Sequence, residues 1–313
     1  MSNVMKAVQI NNFGNRSVLE LNDIAIPTPT ESEVLIKVKS ASVNPVDWKI
    51  REGYLQAVLN HKLPLTLGWD VSGEVVAIGA KVDSLRVGDA VYSRPDIAKN
   101  GSYAEYQTAQ ANEVALKPSS LTWQEAAGVP LAALTAWQSL YDLAKLESGE
   151  RVLIHAGSGA VGQFAIQLAK LRGAYVYTTT SSTNKELVIN LGADESIDYR
   201  QEDFSELKDI DVVFDTIGGE TQANSWKTLK KGGRLVSITD TPDEAIAAKY
   251  GVSAFFCFMQ PNRSQLEKLA DIADANQLTV NIDSEFTLNQ VAKAHKRSES
   301  GRAQGKIIIN VSA

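Results

Sequence analysis

The sequence predicts an α/β protein of two domains, with a β-barrel-like unit joined to a parallel sheet that is covered by helices on both faces. The chain has 313 residues, which is about twice the roughly 150 residues of a typical domain. Short strand-like runs broken by turn residues fill its first third. From Arg151 onward, strand and helix patterns alternate, as they do in parallel sheets.

Apolar runs between turn residues predict the strands of the N-terminal unit. These are Lys6 to Ile10, Val34 to Ser40, Val71 to Ile78, Ala90 to Tyr92 and Tyr103 to Thr108. The pattern changes near Thr122, which we expect to cap a helix that begins at Trp123. Apolar residues continue at near-helical spacing as far as Leu143.

The second half predicts alternating elements. The expected strands are Val152 to Ala156, Tyr175 to Thr180, Val212 to Asp215 and Arg234 to Ile238. The expected helices are Val161 to Leu171, Lys185 to Leu191, Thr221 to Leu229 and Arg263 to Asn276. No helix follows the apolar run Lys306 to Val311, so we expect this strand to return to the N-terminal unit.

Composition excludes several classes of protein. A hydrophobic content of 44% argues against disorder, and no apolar stretch is long enough to span a membrane. The net charge of −6 leaves no broad basic surface for nucleic acid. The single Cys257 forbids an intrachain disulfide and a multi-cysteine zinc cluster. The N-terminus lacks a signal-peptide pattern, and we expect a soluble cytoplasmic protein.

A glycine-rich turn carries the strongest functional signal. Gly157, Gly159 and Gly162 have GxGxxG spacing directly after a predicted strand and at the start of a predicted helix. The first glycine permits the tight turn, the second lets a pyrophosphate approach the backbone, and the third lets helix and strand pack closely. In this context, the motif predicts a dinucleotide site.

The end of the second strand predicts which dinucleotide binds. NAD-binding sites of this kind carry an acidic residue about 20 residues after the motif, where it holds the ribose 2'-hydroxyl. Here Thr178 to Thr183 are all hydroxyl residues, and Lys185 follows them. Hydroxyl donors and a cation suit the 2'-phosphate of NADPH, although the serines could also serve as helix caps.

Motifs in order along nearly the whole chain resemble those of a known superfamily. They are SVNPVDWKIREG (42–53), LGWDVSGEV (67–75), VGDAVY (87–92), GSYAEY (101–106), AAGVPLAALTAW (126–137), HAGSGAVGQFAIQLAK (155–170), DYRQED (198–203), DVVFDTIGG (211–219), KGGRLVSI (231–238) and GRAQGKIII (301–309). The sequence resembles the medium-chain dehydrogenase/reductase superfamily, and within it the zinc-independent quinone oxidoreductase branch related to zeta-crystallin. The resemblance implies a GroES-like domain at 1–123 and 264–313, with a Rossmann domain inserted at 124–263.

The resemblance also implies the cofactor contacts. Those expected from the family are Thr135, Gly157, Ser158, Gly159, Ala160, Val161, Gly162, Ser181, Lys185, Tyr199, Gly218, Phe256, Arg302 and Lys306. Ser181, Lys185 and Tyr199 would surround the 2'-phosphate. Alternatively, Arg302 and Lys306 could be surface charges that do not contact the cofactor. The family also implies a homodimer, for which the apolar run Phe255 to Met259 offers a sheet edge.

Two positions are candidate catalytic residues. Asn44 resembles a family position beside the nicotinamide, where its amide could orient a substrate carbonyl, although it could equally be a turn residue before Pro45. Tyr54 could donate a hydrogen bond or proton to a forming enolate. Alternatively, it could only line the site, since a tyrosine has an apolar ring and a polar hydroxyl. Among the histidines, we expect His155 to lie in the core and His61 and His295 to lie in surface segments.

A metal is not expected. The zinc-dependent relatives hold their metal with Cys, His and a third Cys or Asp, and the position that resembles the first ligand is Asn44 here. Their Gly-His-Glu motif reads Gly68, Trp69 and Asp70 in this chain, and a tryptophan cannot be a ligand. We therefore expect an NADPH-dependent, metal-free reductase of quinones or α,β-unsaturated carbonyls, with a small electrophile as its partner and no nucleic acid or membrane. The alternatives are a 2-enoyl thioester reductase and a catalytically silent NADPH-binding protein with a structural or RNA-binding role.

Overall fold

The computed structural model describes residues 3–311, which form two compact units. The first unit holds the chain up to Leu131, the segment Pro261–Asn276 and the chain from Val280 onward. The second unit holds Ala132–Gln260 and the short segment Gln277–Thr279. Among the described residues, no helix has both the length and the apolar character to cross a bilayer.

Strands and helices follow one another as the sequence predicts, with several additions. The strands are β1 (Val4–Ile10), β2 (Leu19–Ala25), β3 (Glu33–Val43), β4 (Leu65–Thr66), β5 (Val71–Ile78), β6 (Ala90–Ser93), β7 (Tyr106–Gln110), β8 (Val114–Leu116), β9 (Arg151–Ile154), β10 (Tyr175–Thr180), β11 (Glu195–Asp198), β12 (Ile210–Asp215), β13 (Leu229–Ser237), β14 (Ser253–Phe256), β15 (Ile282–Thr287) and β16 (Lys306–Asn310). The α-helices are α1 (Pro45–Arg51), α2 (Gln56–Leu59), α3 (Trp123–Gly128), α4 (Pro130–Trp137), α5 (Ala160–Leu171), α6 (Lys185–Asn190), α7 (Gly219–Ser225), α8 (Glu244–Tyr250), α9 (Arg263–Asp274) and α10 (Val291–Glu299). A π-helical segment at Gln138–Leu143 follows α4.

The first unit is a GroES-like β domain with two sheets. A seven-stranded sheet has the order β15-β16-β3-β5-β6-β8, with β7 also paired to β3, and a three-stranded sheet has the order β2-β1-β4. Strand β16 runs antiparallel to β3, with Ile307 opposite Val43. The prediction that the last strand returns to the N-terminal unit is therefore confirmed.

The second unit is a Rossmann domain. Its six strands are parallel and have the order β11-β10-β9-β12-β13-β14. The chain leaves the sheet on one side after β11 and resumes on the other side at β12, so the order reverses between β9 and β12. In open α/β sheets, ligands bind outside the carboxyl ends of the strands at this reversal. The topology therefore predicts a ligand site next to the glycine-rich turn that follows β9.

The predicted helix from Trp123 to Leu143 is interrupted. Thr122 caps α3 through a capping box with Glu125, as predicted, but α3 ends at Gly128 and α4 begins at Pro130. Proline has no backbone N–H and its ring clashes with the preceding turn, so it breaks a helix interior. Helix α3 packs in the first unit, where the Ser72 hydroxyl donates to the Trp123 carbonyl at 2.6 Å.

The three histidines are all buried, so the surface positions expected for His61 and His295 are wrong. His61 stacks on Trp69 with ring centroids 5.8 Å apart. Nδ1 of His295 lies 3.1 Å from Nη1 of Arg51, and since an arginine N–H can only donate, this ring nitrogen is the acceptor. Burial lowers the pKa of His295 to about 3. His61 lies in a short segment after α2 that carries no periodicity, whereas His295 shares the buried face of α10 with Val291 and Ala294.

His155 is a core residue, as predicted. Its Nε2 lies 2.9 Å from the Ser225 hydroxyl, and that hydroxyl donates its own hydrogen to the Thr221 carbonyl at 2.6 Å. Nε2 must therefore be the donor to Ser225, which fixes the neutral tautomer with its proton on Nε2. Burial lowers the pKa of His155 to about 4. This histidine joins β9 to α7 and is not a free acid or base.

Candidate functional site

The glycine-rich turn lies between β9 and α5 and is as tight as the spacing predicts. A Cβ atom on Gly157 would lie 2.1 Å from the Thr178 hydroxyl oxygen, and one on Gly162 would lie 2.3 Å from the Ala156 carbonyl oxygen. Packing therefore requires the first and third glycines. Gly159 differs, since a Cβ there would lie 3.3 Å from its nearest neighbour. A side chain at the second glycine therefore requires only a small shift of the Ala156 carbonyl oxygen.

The start of α5 offers donors for an anion. Gly159 caps the helix in an extended conformation without a side-chain bond, and Ala160 and Val161 begin its first turn. The first backbone N–H groups of a helix have no acceptor within it, and the helix dipole adds partial positive charge there. A phosphate group suits such a position.

Ser158 is oriented by its neighbours. Its hydroxyl oxygen accepts a hydrogen bond from Thr180 at 2.9 Å and one from the Asn184 side-chain amide at 3.1 Å. A hydroxyl has two acceptor positions and one hydrogen. With both acceptor positions used, Ser158 is left as a donor, which suits a phosphate oxygen.

The residues predicted for the 2'-phosphate follow the carboxyl ends of two neighbouring strands, β10 and β11. The Tyr199 N–H donates to the Thr180 carbonyl at 3.2 Å, so Tyr199 lies beside the residue that precedes Ser181. Lys185 is exposed at the first position of α6. The sequence reading missed Arg200, whose guanidinium carbon lies 5.4 Å from the ring centroid of Tyr199. The nearby carboxylate of Asp198 accepts from the Arg200 backbone N–H at 3.1 Å.

Other predicted contacts follow the carboxyl ends of parallel strands. Gly218 comes after β12, has φ +80° and donates its N–H to Asp215 at 2.8 Å. Phe256 ends the edge strand β14 and is 41% exposed. Because parallel strands end at one edge of a sheet, Ser158, Ser181, Gly218 and Phe256 all lie along that edge. Thr135 is buried on α4 in the same unit.

A second group of site residues lies in the first unit, around Asn44. Asn44 is buried and precedes α1 in an extended conformation. Its Oδ1 accepts from the Lys306 ammonium at 2.7 Å, and its Nδ2 donates to Asp70 Oδ2 at 2.8 Å. An ammonium can only donate and a carboxylate can only accept. These partners therefore assign the oxygen and the nitrogen of the Asn44 amide.

Lys306 and Asp70 form a buried ion pair. The ammonium donates to Asp70 Oδ2 at 3.1 Å, and the two side chains are 1% and 0% exposed. Asp70 also accepts from the Ser42 hydroxyl and from the Leu131 N–H, each at 2.7 Å. The resemblance implies a cofactor contact for Lys306, whereas its ammonium in this structure lies between Asn44 and Asp70. Neither the ion pair nor Asp70 itself was among the predicted site residues.

Asp47 adds a second buried carboxyl group. Its Oδ2 accepts from the Asn44 N–H and from the Tyr103 hydroxyl, each at 2.8 Å. Burial raises the pKa of Asp47 to about 7, and these two hydrogen bonds oppose the shift. The spacing of Asn44 and Asp47 fits an N-cap and its third helical position, which is the one signal in the sequence that could have paired them.

Tyr54 and Arg302 make no hydrogen bond to Asn44, Lys306 or Asp70 among the described residues. Tyr54 is 69% exposed, and its ring meets the edge of Trp48 at a centroid distance of 6.4 Å. Among residues 3–311, the Tyr54 hydroxyl has no hydrogen-bond partner. Arg302 is exposed, and its backbone carbonyl accepts from Arg297 at 3.0 Å.

Two family models match the chain. The alcohol dehydrogenase GroES-like domain matches residues 30–119, and a model described as zinc-binding dehydrogenase matches residues 191–309. These matches cover the strands around Asn44 and most of the Rossmann sheet, and the second also reaches Lys306.

Similar proteins match along almost the full length. A 2-methylene-furan-3-one reductase of Solanum lycopersicum is 38% identical, over 98% of this chain and 79% of that protein. A mitochondrial NAD(P)H oxidoreductase of Mus musculus is 35% identical, over 99% of this chain and 90% of that protein. The solved quinone oxidoreductase of Coxiella burnetii has a TM-score of 0.92 and 36% identity, and the match covers 99% of this chain and all of that one.

The residues around Asn44 do not fit a zinc ion. The Trp69 indole is fully buried and donates to the Lys99 carbonyl at 3.1 Å, so it offers no ligand. The Lys306 ammonium already contacts the oxygens of Asn44 and Asp70. Within the described part of the chain, no three His, Cys, Asp or Glu side chains are grouped to hold a metal.

Proposed function

Because this chain belongs to the medium-chain dehydrogenase/reductase superfamily and resembles its quinone oxidoreductases, we propose that it is an NADPH-dependent, metal-free reductase of quinones or α,β-unsaturated carbonyls. The coarser activity, that of an NAD(P)H-dependent oxidoreductase, follows from its relatives. The observation that carries the finer proposal is the position of the Lys306 ammonium, which contacts Asp70 and Asn44, the residue that resembles the first zinc ligand of the zinc-dependent relatives.

The chemistry follows from these groups. When bound, NADPH supplies a hydride from its nicotinamide. Without a Lewis acid, the acceptor has to be electron-poor already, as quinones, enones and enals are. The Asn44 amide uses one N–H on Asp70 and has a second N–H to donate, so it can orient a substrate carbonyl. The enolate that forms then takes a proton from solvent or from Tyr54.

We expect the protein to oxidise NADPH when it is mixed with a quinone, an enal or an enone, and to keep this activity after prolonged treatment with a chelator. A fall in absorbance at the NADPH band measures turnover for each acceptor in the panel. Loss of activity in chelator, together with about one zinc per chain by elemental analysis, would contradict the metal-free mechanism.

The same panel separates the alternatives. Turnover confined to enoyl-CoA substrates would identify a 2-enoyl thioester reductase. Tight NADPH binding with no consumption by any acceptor would favour a silent structural protein, and the net charge of −6 argues against an RNA-binding one. The homodimer and the cytoplasmic location stay predictions.

We expect NADPH to bind at least about tenfold more tightly than NADH. A charge-assisted hydrogen bond from Lys185 to the 2'-phosphate contributes on the order of 1.5 to 3 kcal/mol, and 1.4 kcal/mol is about tenfold in affinity. Ser181→Asp should reverse part of this preference, since a carboxylate repels the phosphate and accepts from a ribose hydroxyl. Titration of both proteins with both cofactors measures the effect. Equal affinities of the wild type for NADPH and NADH would contradict the assignment of a 2'-phosphate site.

We expect Asn44→Ala to lower turnover more than it weakens NADPH binding, because its amide lies near Lys306 and Asp70 and far in sequence from the phosphate-binding turn. Tyr54→Phe should act similarly if its exposed hydroxyl donates the proton. The measurement is kcat with a good acceptor beside the Kd for NADPH. Unchanged kcat in both variants would remove both residues from the mechanism.

A further inference from the structure

Arg94 is a buried cation with few partners. It follows β6 directly, and 3% of its surface is exposed. Its Nη1 donates to the neighbouring Pro95 carbonyl at 3.1 Å, and its Nε has no partner. Among residues 3–311, no carboxylate forms an ion pair with it. A guanidinium has five N–H donors, and a buried charge without partners is costly.

Arg51 shows what a structural arginine looks like in the same unit. It is fully buried, and its Nε donates to the Gly14 carbonyl at 3.0 Å. Its Nη1 donates to Glu299 at 2.8 Å, and its Nη2 pairs with Glu52. Every nitrogen of Arg51 is used, which explains why it is held in the core. Folding alone gives no such reason for Arg94.

The position of Arg94 connects it to the Asn44 network. Strands β5 and β6 pair with Val71 opposite Ser93, so the next step of this register sets Asp70 opposite Arg94. Asp70 is the residue that holds the Asn44 amide. Burial lowers the pKa of Arg94, and the charge of Asp70 is the first of several that oppose this shift. The exposed fraction of the surface is 3% for Arg94 and 2% for Asn44, whereas Arg51 and Asp70 are fully buried.

We propose that Arg94 binds the substrate oxygen that becomes negatively charged during reduction. The inference rests on the proposed reductase function. As the hydride adds to the β-carbon of an enone, the electron pair of its C=C bond moves into a new C=C bond, and the carbonyl electrons move to oxygen. The unpartnered N–H groups of Arg94 donate to this enolate oxygen. They stabilise the negatively charged oxygen more than the neutral carbonyl oxygen of the substrate. The α-carbon then takes a proton, and Arg94 keeps its own protons.

Two kinds of substrate oxygen share this chemistry. One is the enolate oxygen itself, and the other is a permanent carboxylate carried by the substrate. Each would be recognised as an anion by the planar fork of the guanidinium. Two acceptors separate them, namely 2-cyclohexen-1-one, which carries no carboxylate, and 4-oxo-2-pentenoate, which carries one. Arg94→Met lowers kcat for both acceptors if the enolate oxygen is bound, and raises KM for 4-oxo-2-pentenoate alone if the carboxylate is bound.

A binding experiment tests the site without turnover. The probe is 4-nitrophenol, whose yellow anion resembles an enolate in charge and planarity. We expect the wild type to bind the anion and thereby to lower the apparent pKa of the bound phenol. Arg94→Met should bind the anion at least about tenfold more weakly, since it loses at least one charge-assisted hydrogen bond. Arg86→Met, which removes an exposed arginine of the same unit, is the matched control and should bind as the wild type does.

Thermal unfolding separates this role from a structural one. An arginine that serves a ligand makes no ion pair in the free protein and costs desolvation there, so Arg94→Met should keep or raise the Tm. A variant that does not fold, or one that melts well below the wild type, would make Arg94 a structural residue and overturn the proposal. Arg94→Lys keeps the charge without the fork and should bind the phenolate between the wild type and Arg94→Met.

The outcomes distinguish the two proposals. Phenolate binding that Arg94→Met leaves unchanged overturns the role of Arg94, and so does a wild type that does not bind the phenolate. Phenolate binding that depends on Arg94, in a protein that consumes no NADPH with any acceptor, supports an anion site and rejects the reductase function. Loss of phenolate binding together with loss of kcat on 2-cyclohexen-1-one supports both.

Discussion

Lys306→Met is expected to lower the free energy of unfolding by about 3 to 5 kcal/mol, because it leaves the Asp70 carboxylate buried without its counter-charge. Asp70 is fully buried and Lys306 is 1% exposed, so water cannot replace the lost partner. The Asn44 Oδ1 atom also loses its donor at 2.7 Å. Urea unfolding monitored by circular dichroism measures the change.

The double variant Lys306→Met with Asp70→Asn should recover most of that loss. An amide at position 70 keeps an acceptor for the Leu131 N–H and carries no charge to be compensated. Lys170→Met is the matched control, since the Lys170 and Asp194 side chains are 35% and 27% exposed and such pairs contribute about 0 to 1 kcal/mol. A loss below about 1 kcal/mol in Lys306→Met would contradict the interpretation that Asp70 depends on Lys306 as its buried counter-charge.

The fold could be predicted largely because its strongest signals are local. The glycine-rich turn, the capping box at Thr122 and the apolar strands of the Rossmann sheet each depend on residues within about one helical or strand segment of one another. Strand β2 alternates only weakly between exposed and half-buried residues, and the sequence reading missed it. Pro130 marked the break between α3 and α4, but the apolar spacing on either side of it looked continuous.

The candidate site shows more clearly which contacts cannot be predicted from the sequence. Asn44 could be found from its neighbours Pro45 and Asp47, but Lys306 lies 262 residues away and reaches Asn44 because β16 pairs with β3. The register that sets Val71 opposite Ser93, one residue before Arg94, is likewise a property of the sheet and not of either segment. Such contacts depend on strand pairing, which no spacing in one sequence specifies. The resemblance placed Lys306 at a cofactor contact without its buried partners.

The glycine-rich turn allows a test that separates packing from ligand binding. Gly162→Ala is expected to weaken NADPH binding by at least about a hundredfold and to destabilise the protein. Its Cβ would lie 2.3 Å from the Ala156 carbonyl oxygen, which belongs to backbone that cannot rotate away. The turn would have to shift, and two lost hydrogen bonds to a charged phosphate at about 1.5 kcal/mol or more each correspond to that factor.

Gly159→Ala should behave differently from Gly162→Ala. Gly159 has an ordinary φ of −76°, and a Cβ there would lie 3.3 Å from the Ala156 carbonyl oxygen, so a small shift accommodates it and the loss of stability should be clearly smaller than in Gly162→Ala. The added methyl group would lie where a pyrophosphate has to approach the backbone, so the affinity for NADPH should fall by about tenfold or more. Calorimetric titration with NADPH and urea unfolding of both variants give the two quantities. An alanine at 159 that leaves the affinity unchanged would contradict the placement of the pyrophosphate at the start of α5, even if the alanine at 162 abolishes binding.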